Sequence, residues 1–263
     1  MTIIAFAYMF KIFGYTLLSV IIVSMISLVG VFSIFFKRSN EKTFLLVLVG
    51  LSAGALFGDA ILHLLPEAVE RNGFIPIVSL YVLSGVVVFF ILKKFVHWHH
   101  CHGMPASETH KGHEHPKHIA TMNLVGDALH NSLDGFIIAA SYLVSIPLGI
   151  ATTLAVILHE VPQEIADFGI LLYSGLSRKK ALFYNFLSAT TAIAGALIGL
   201  ILGSKSNLFV SVMVPFSAGA FLYIAGSNLI PELQKEVSIK QSVFHVLAMI
   251  LGIAIMVGLL FLE

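Results

Sequence analysis

Eight apolar runs, most of them more than 20 residues long, punctuate this chain and limit what it can fold into. They lie at about 12–36, 43–66, 74–96, 119–145, 148–175, 181–203, 207–230 and 241–262. A bilayer core is crossed by about 20 apolar helical residues, and a lipid-exposed backbone must satisfy its own hydrogen bonds. The runs are too long for barrel strands, so each is expected to be a helix. Composition agrees: 58% of residues are hydrophobic, 11% are charged, and the mean hydropathy is +0.96. Soluble domains carry roughly 25% charged residues. The expected fold is therefore all-α, a polytopic membrane protein of about eight transmembrane helices. With 263 residues so partitioned, the chain forms a single transmembrane domain over 1–263.

Charge and cysteine content narrow the partners. A formal net charge of +1 offers no basic footprint for nucleic acid, so the bilayer and small ions are the expected partners. Cys101 is the one cysteine, which rules out an intrachain disulfide. The opening MTIIAFAYMF lacks a basic n-region and a small-residue cleavage site, and reads as a lead-in to the first run. Basic residues fall unevenly. Loops after the odd runs hold Lys37, Arg38, Lys42, Lys93, Lys94, Lys111, Lys117, Arg178, Lys179, Lys180, Lys235 and Lys240, against Lys11, Arg71 and Lys205 on the other side. Basic loops stay cytoplasmic, so both termini are expected outside the cytoplasm.

Polar groups sit where an apolar span should not tolerate them. The fourth run reads DALHNSLDGF, with Asp127, His130, Asn131 and Asp134; the fifth reads LHEVPQEIADF, with His159, Glu160, Gln163, Glu164 and Asp167. On a helix, His130 and Asp134 share a face, as do His159 and Gln163, and Glu160 and Glu164. Intramembrane ionisable residues face a bundle interior or an ion path, and imidazole with carboxylate and amide oxygen suits a divalent transition metal. The plainer reading is interhelical hydrogen bonding. Pro162 should leave the Leu158 carbonyl without its helical partner, available to a ligand. The second run adds Asp59 and His63, again four apart, followed by Pro66-Glu67; they suit either an ion path or a structural pair.

Between the third and fourth runs, residues 97–118 carry His97, His99, His100, His102, His110, His113, His115 and His118. This histidine-rich stretch is expected to be a cytoplasmic linker that captures metal loosely.

HNSLDG in the fourth run, HEVPQEIADF in the fifth and FGDAILHLLPEA in the second together resemble the ZIP (Zrt/Irt-like) metal transporters, closest to their LIV-type branch. The resemblance covers nearly the whole chain. It implies transport of zinc, and in some members iron (Fe2+), manganese (Mn2+) or cadmium (Cd2+), into the cytoplasm. It also implies a ZIP-like bundle, an elevator-like motion of one helix group and a homodimer; the membrane is expected to be the plasma membrane. Carried onto this sequence, the main metal site would use His130, Asp134, His159 and Gln163, and an adjacent site Asn131, Glu160 and Gln163. Asp59, His63, Asp127, Glu164 and Asp167 would line the path. Two departures stand out. Gln163 occupies the place of a second histidine, and Ala192 that of a glutamate found in some bacterial members. Two rival readings remain. One is an intramembrane metalloprotease, for which the second histidine of HExxH is missing. The other is a metal sensor that binds without flux.

Overall fold

The computed structural model describes residues 2–29, 38–101, 115–235 and 238–262. All regular structure among them is helical. The order is α1 (Thr2–Ile26), α2 (Arg38–Gly58), α3 (Leu65–Asn72), α4 (Pro76–Cys101), α5 (His115–Val144), α6 (Ile146–Tyr173), α7 (Arg178–Ala189), α8 (Thr191–Lys205), α9 (Asn207–Tyr223), α10 (Ile230–Gln234) and α11 (Ile239–Leu259). A wide π turn, Asp59–Leu64, joins α2 to α3, and a second, Ile224–Leu229, joins α9 to α10. Seven of the resulting rods are long and apolar enough to cross a membrane. The eighth is α5, whose 30 residues carry the polar groups of DALHNSLDGF. The crossings are therefore α1, α2–α3, α4, α5, α6, α7–α8, α9–α10 and α11, numbered as spans 1 to 8. The chain is an all-α, multi-pass membrane protein.

Local chemistry sets the breaks. Gly73 and Gly175 take φ of 78° and 86°, the left-handed region that glycine enters without a Cβ clash, and they end α3 and α6. Ser145 caps α6 by accepting from the Leu148 N–H at 3.2 Å. Span 6 was expected as one run and is two helices. At the junction the Thr190 hydroxyl reaches back to the Leu187 carbonyl (2.6 Å) and the Thr191 hydroxyl to the Ser188 carbonyl (2.7 Å). Such back-bonding bends helices. The histidine stretch also differs from a plain linker. His97, His99 and His100 lie within α4, and His115 and His118 within α5, while His102, His110 and His113 lie outside the described residues.

The two π turns mark sequence-related stretches. SAGALFGDAILHLLPE (52–67) and SAGAFLYIAGSNLIPE (217–232) align without a gap. In each, the wide turn stops just short of a proline, Pro66 or Pro231. A proline has no N–H for the residue four back, here Leu62 or Ser227. π turns of this kind gather at functional places.

Three helix pairs pack closely: α2 with α11, α4 with α9, and α5 with α8. Each is held by reciprocal glycines. A Cβ on Gly54 would strike the Met249 carbonyl and one on Gly252 the Leu51 carbonyl. Gly85 and Gly219 face Phe216 and Val82, and Gly135 and Gly195 face Ala192 and Ser132. Small residues let membrane helices approach to backbone contact. The outward faces are apolar: Leu80, Leu83 and Ile91 on α4, and Val243, Leu247 and Leu251 on α11.

The glycine packing makes a prediction. Gly135→Ala puts a methyl group into the Ala192 carbonyl, whereas Gly169 has nothing within 4 Å of a built Cβ. Overpacking costs about 1–3 kcal/mol, while alanine in an open helical position gains up to about 1 kcal/mol. The thermal midpoint of the detergent-solubilised chain should fall for Gly135→Ala and hold or rise for Gly169→Ala. Equal midpoints would contradict the α5–α8 contact.

Candidate metal site

Spans 4 and 5 meet along α5 and α6 and bring His130, Asp134, His159 and Glu160 together. One ligand atom from each lies within 4.8 Å of all the others. His159 Nε2 stands 3.0 Å from Asp134 Oδ2, 3.3 Å from Glu160 Oε1 and 3.3 Å from His130 Nε2. His130 Nε2 is 3.4 Å from Glu160 Oε1 and 3.8 Å from Asp134 Oδ2. Four donors at about 2.0–2.1 Å from a tetrahedral zinc ion would stand about 3.3 Å apart. The observed spacings bracket that value.

The surroundings hold the donors in place. His159 Nδ1 sits 3.2 Å from the Ala155 carbonyl; donating there leaves Nε2 as the free lone pair facing the cluster, the outer contact that metal-binding imidazoles use. Asp134 and Glu160 are fully buried, and Asp134 Oδ1 and Glu160 Oε2 have no hydrogen-bond partner. A buried acceptor left unpaired is costly, and a bound cation would remove that cost. Two aromatic rings wall the cluster: Phe89 of α4 edge-on to His130 (5.6 Å between centroids) and Phe221 of α9 against His159 (6.0 Å). They line it with apolar surface, and a low local dielectric strengthens the electrostatic interactions inside. Neither phenylalanine stands out in the sequence, because each reads as one more apolar residue of its run.

Partition of the residues differs from the expected one. Glu160, expected in an adjacent site, stands in the main cluster. Gln163 lies instead near Asp127. The Asn131 amide donates to the Asp127 carboxylate (2.9 Å) and carbonyl (3.2 Å). Ala192 is buried against Gly135 and offers no ligand. The Leu158 carbonyl, expected to be free beside Pro162, accepts from the Ser52 hydroxyl of α2. The proline's orphan is thus satisfied by a neighbouring helix.

Path residues spread along both ends. In the π turn of span 2, Asp59 and His63 are buried, and His63 Nε2 lies 3.0 Å from the Met256 carbonyl of α11. Glu67 is paired with Arg71 at 3.2 Å. Towards the His115 end of α5, Asp127 and Glu164 are buried and Asp167 is partly so. Serine and asparagine from α7 reach these two carboxylates. The Ser188 hydroxyl donates to Asp127 Oδ2 at 2.5 Å, and the Asn185 amide donates to Glu164 Oε2. Sequence reading missed both residues, since no charged residue stands between Ala181 and Ser204 to draw attention.

Comparison with known proteins gives the chain its relatives. Residues 10–120 and 105–260 match the family model described as ZIP Zinc transporter. The chain is 33% identical over 279 residues to the zinc transporter ZIP13 homolog of Drosophila melanogaster, covering 84% of this chain and 79% of that protein. It is 31% identical over 311 residues to the zinc transporter SLC39A7 of Rattus norvegicus, covering 85% and 66%. It is 30% identical over 308 residues to the metal cation symporter ZIP8 of the same species, covering 89% and 66%. The chain thus spans about two thirds of the length of the two rat proteins.

Proposed function

This chain belongs to the ZIP zinc transporter family, and from that premise we propose that it carries a divalent metal ion, zinc first among candidates, across a membrane into the cytoplasm. The supporting observation is the buried His130–Asp134–His159–Glu160 cluster, spaced for tetrahedral coordination inside a bundle of crossing helices. Two imidazoles with two carboxylates favour zinc-like ions over hard ones, while Fe2+, Mn2+ and Cd2+ remain within reach of the same donors. The family is one of transporters, and the peptidase reading has no second histidine where HExxH needs it.

The ion enters past Glu67, His63 and Asp59, exchanges its water for the four donors, and leaves past Asp127, Glu164 and Asp167. Histidines of the 97–118 stretch then capture it, and Gln163 and Asn131 flank the passage. Basic-residue placement supports extracytoplasmic termini, and the family resemblance supports a homodimer; the membrane we assign is the plasma membrane.

Zinc flux into proteoliposomes loaded with a zinc-sensitive dye tests the reading. Flux should appear with the intact chain and persist in a chain whose 97–118 histidines are replaced by serine. Binding without flux for any of Zn2+, Fe2+, Mn2+ and Cd2+ would overturn it in favour of a metal sensor.

A further inference from the structure

Both imidazoles of the metal cluster stand in a row of aromatic rings. Phe216 of α9 packs against Phe89 of α4 (6.4 Å between centroids), and Phe89 stands edge-on to His130 (5.6 Å). His130 in turn stands edge-on to His159 (5.5 Å), and His159 to Phe221 of α9 (6.0 Å). The phenylalanines belong to one close pair of helices. A Cβ on Gly85, one turn before Phe89, would strike the Phe216 carbonyl, and one on Gly219, two residues before Phe221, the Val82 carbonyl. All three rings are buried, and a close-packed interior has few voids into which they could withdraw.

These walls limit the shell that an ion can gather. Asp134 approaches both histidines with Oδ2 and Glu160 with Oε1, so each carboxylate presents one oxygen and the cluster four donor atoms. The side chains of His159, Asp134 and Glu160 are 1% exposed or less, and that of His130, the one beside Phe89, is 12% exposed. With one oxygen from each carboxylate, a further ligand would have to be water, standing against the aromatic edges. A buried water needs about two to four polar partners, and a phenylalanine offers none. Zinc is satisfied by a tetrahedron of nitrogen and oxygen donors. Mn2+ favours an octahedral shell rich in oxygen.

We propose that Phe89 and Phe221 are specificity-determining residues, which close the flanks of the cluster to water and so favour an ion satisfied by a tetrahedral shell over one that needs an octahedral one. The inference rests on the metal reading of the cluster and adds to it a choice that the donors leave open. Imidazole and carboxylate by themselves admit Mn2+ as well as zinc; the apolar walls turn Mn2+ away. Donors and walls come from different helices, the donors from α5 and α6 and the walls from α4 and α9. Phe216 backs Phe89 and keeps it against His130.

Competition between Zn2+ and Mn2+ tests the assignment, on the purified full chain with its 97–118 histidines replaced by serine so that the cluster is the site counted. Phe89→Ala and Phe221→Ala should each raise Mn2+ affinity and narrow the zinc-to-manganese affinity ratio about tenfold or more, the scale on which residues around a metal's ligands act. Water-proton relaxation should register water on the bound Mn2+ in both variants. Phe89→Leu, apolar and bulky, should restore most of the ratio. A merely loosened fold would weaken both ions together and leave the ratio where it was. If neither alanine variant folds, Phe89→Gln takes their place; it keeps most of the bulk, offers an oxygen, and should narrow the ratio likewise. A narrowing that comes from weaker zinc binding alone, with no gain for Mn2+, overturns the assignment. Zinc bound with an unchanged ratio in the variants also overturns it, and leaves the metal reading standing. A parent chain that binds no zinc overturns both.

Discussion

Zinc flux through the His159→Ala chain is expected to fall at least about a hundredfold, the largest effect of any single substitution at the site. His159 is the hub: its Nε2 touches the nearest oxygens of Asp134 and Glu160 and the Nε2 of His130. Loss of a residue that merely orients a metal ligand already costs roughly 10–100-fold in affinity, and a missing ligand should cost no less. Two buried carboxylates would also lose their nearest nitrogen, in a site closed by Phe89 and Phe221. Flux and zinc affinity should fall together, measured by dye-loaded proteoliposomes and by calorimetry on protein that still elutes as a single species. Undiminished flux with an intact fold would remove His159 from the site.

Acidity on the entry side should suppress uptake nearly as strongly. Imidazole and carboxylate bind metal only in their deprotonated forms, so protons and the ion compete for the same atoms. The sign is fixed: affinity drops as pH falls. Where binding displaces one proton, the apparent affinity changes about tenfold per pH unit, and more where it displaces two. Flux measured at constant free zinc between pH 7.5 and 5.5 should therefore fall steadily, and raised zinc should restore it. A fall that excess zinc cannot restore would point to a proton acting elsewhere than on the ligands.

The bundle was legible in the sequence because bilayer thickness leaves few options for eight long apolar runs. His130, Asp134, His159 and Glu160 were legible as ligand candidates for a related reason: each is an ionisable residue in a span that should have none. The division into sites was harder to read. Gln163 and Glu160 sit on adjacent faces of one helix, and a rotation that sequence cannot fix decides which faces α5; it brought Glu160 to the cluster and left Gln163 beside Asp127. The Leu158 carbonyl was misread because the partner that satisfies it, Ser52, lies 106 residues away on α2. Asn185 and Ser188 were invisible for the opposite reason. Uncharged and common in helices, they acquire meaning only through the carboxylates they touch.

Spans 2 and 7 are five crossings apart, so they thread the bilayer in opposite senses. Yet each keeps the S-A-G-A start, the widened turn and the closing Leu-x-Pro-Glu, and each glutamate has a basic neighbour further along, Arg71 at 3.2 Å and Lys235 at 2.5 Å. A stretch that works pointing either way carries no insertion signal of its own. During synthesis its direction must be dictated by the lysines and arginines of adjoining loops. Charge changes confined to those loops, far from any metal ligand, therefore govern whether a newly made chain is threaded the right way round.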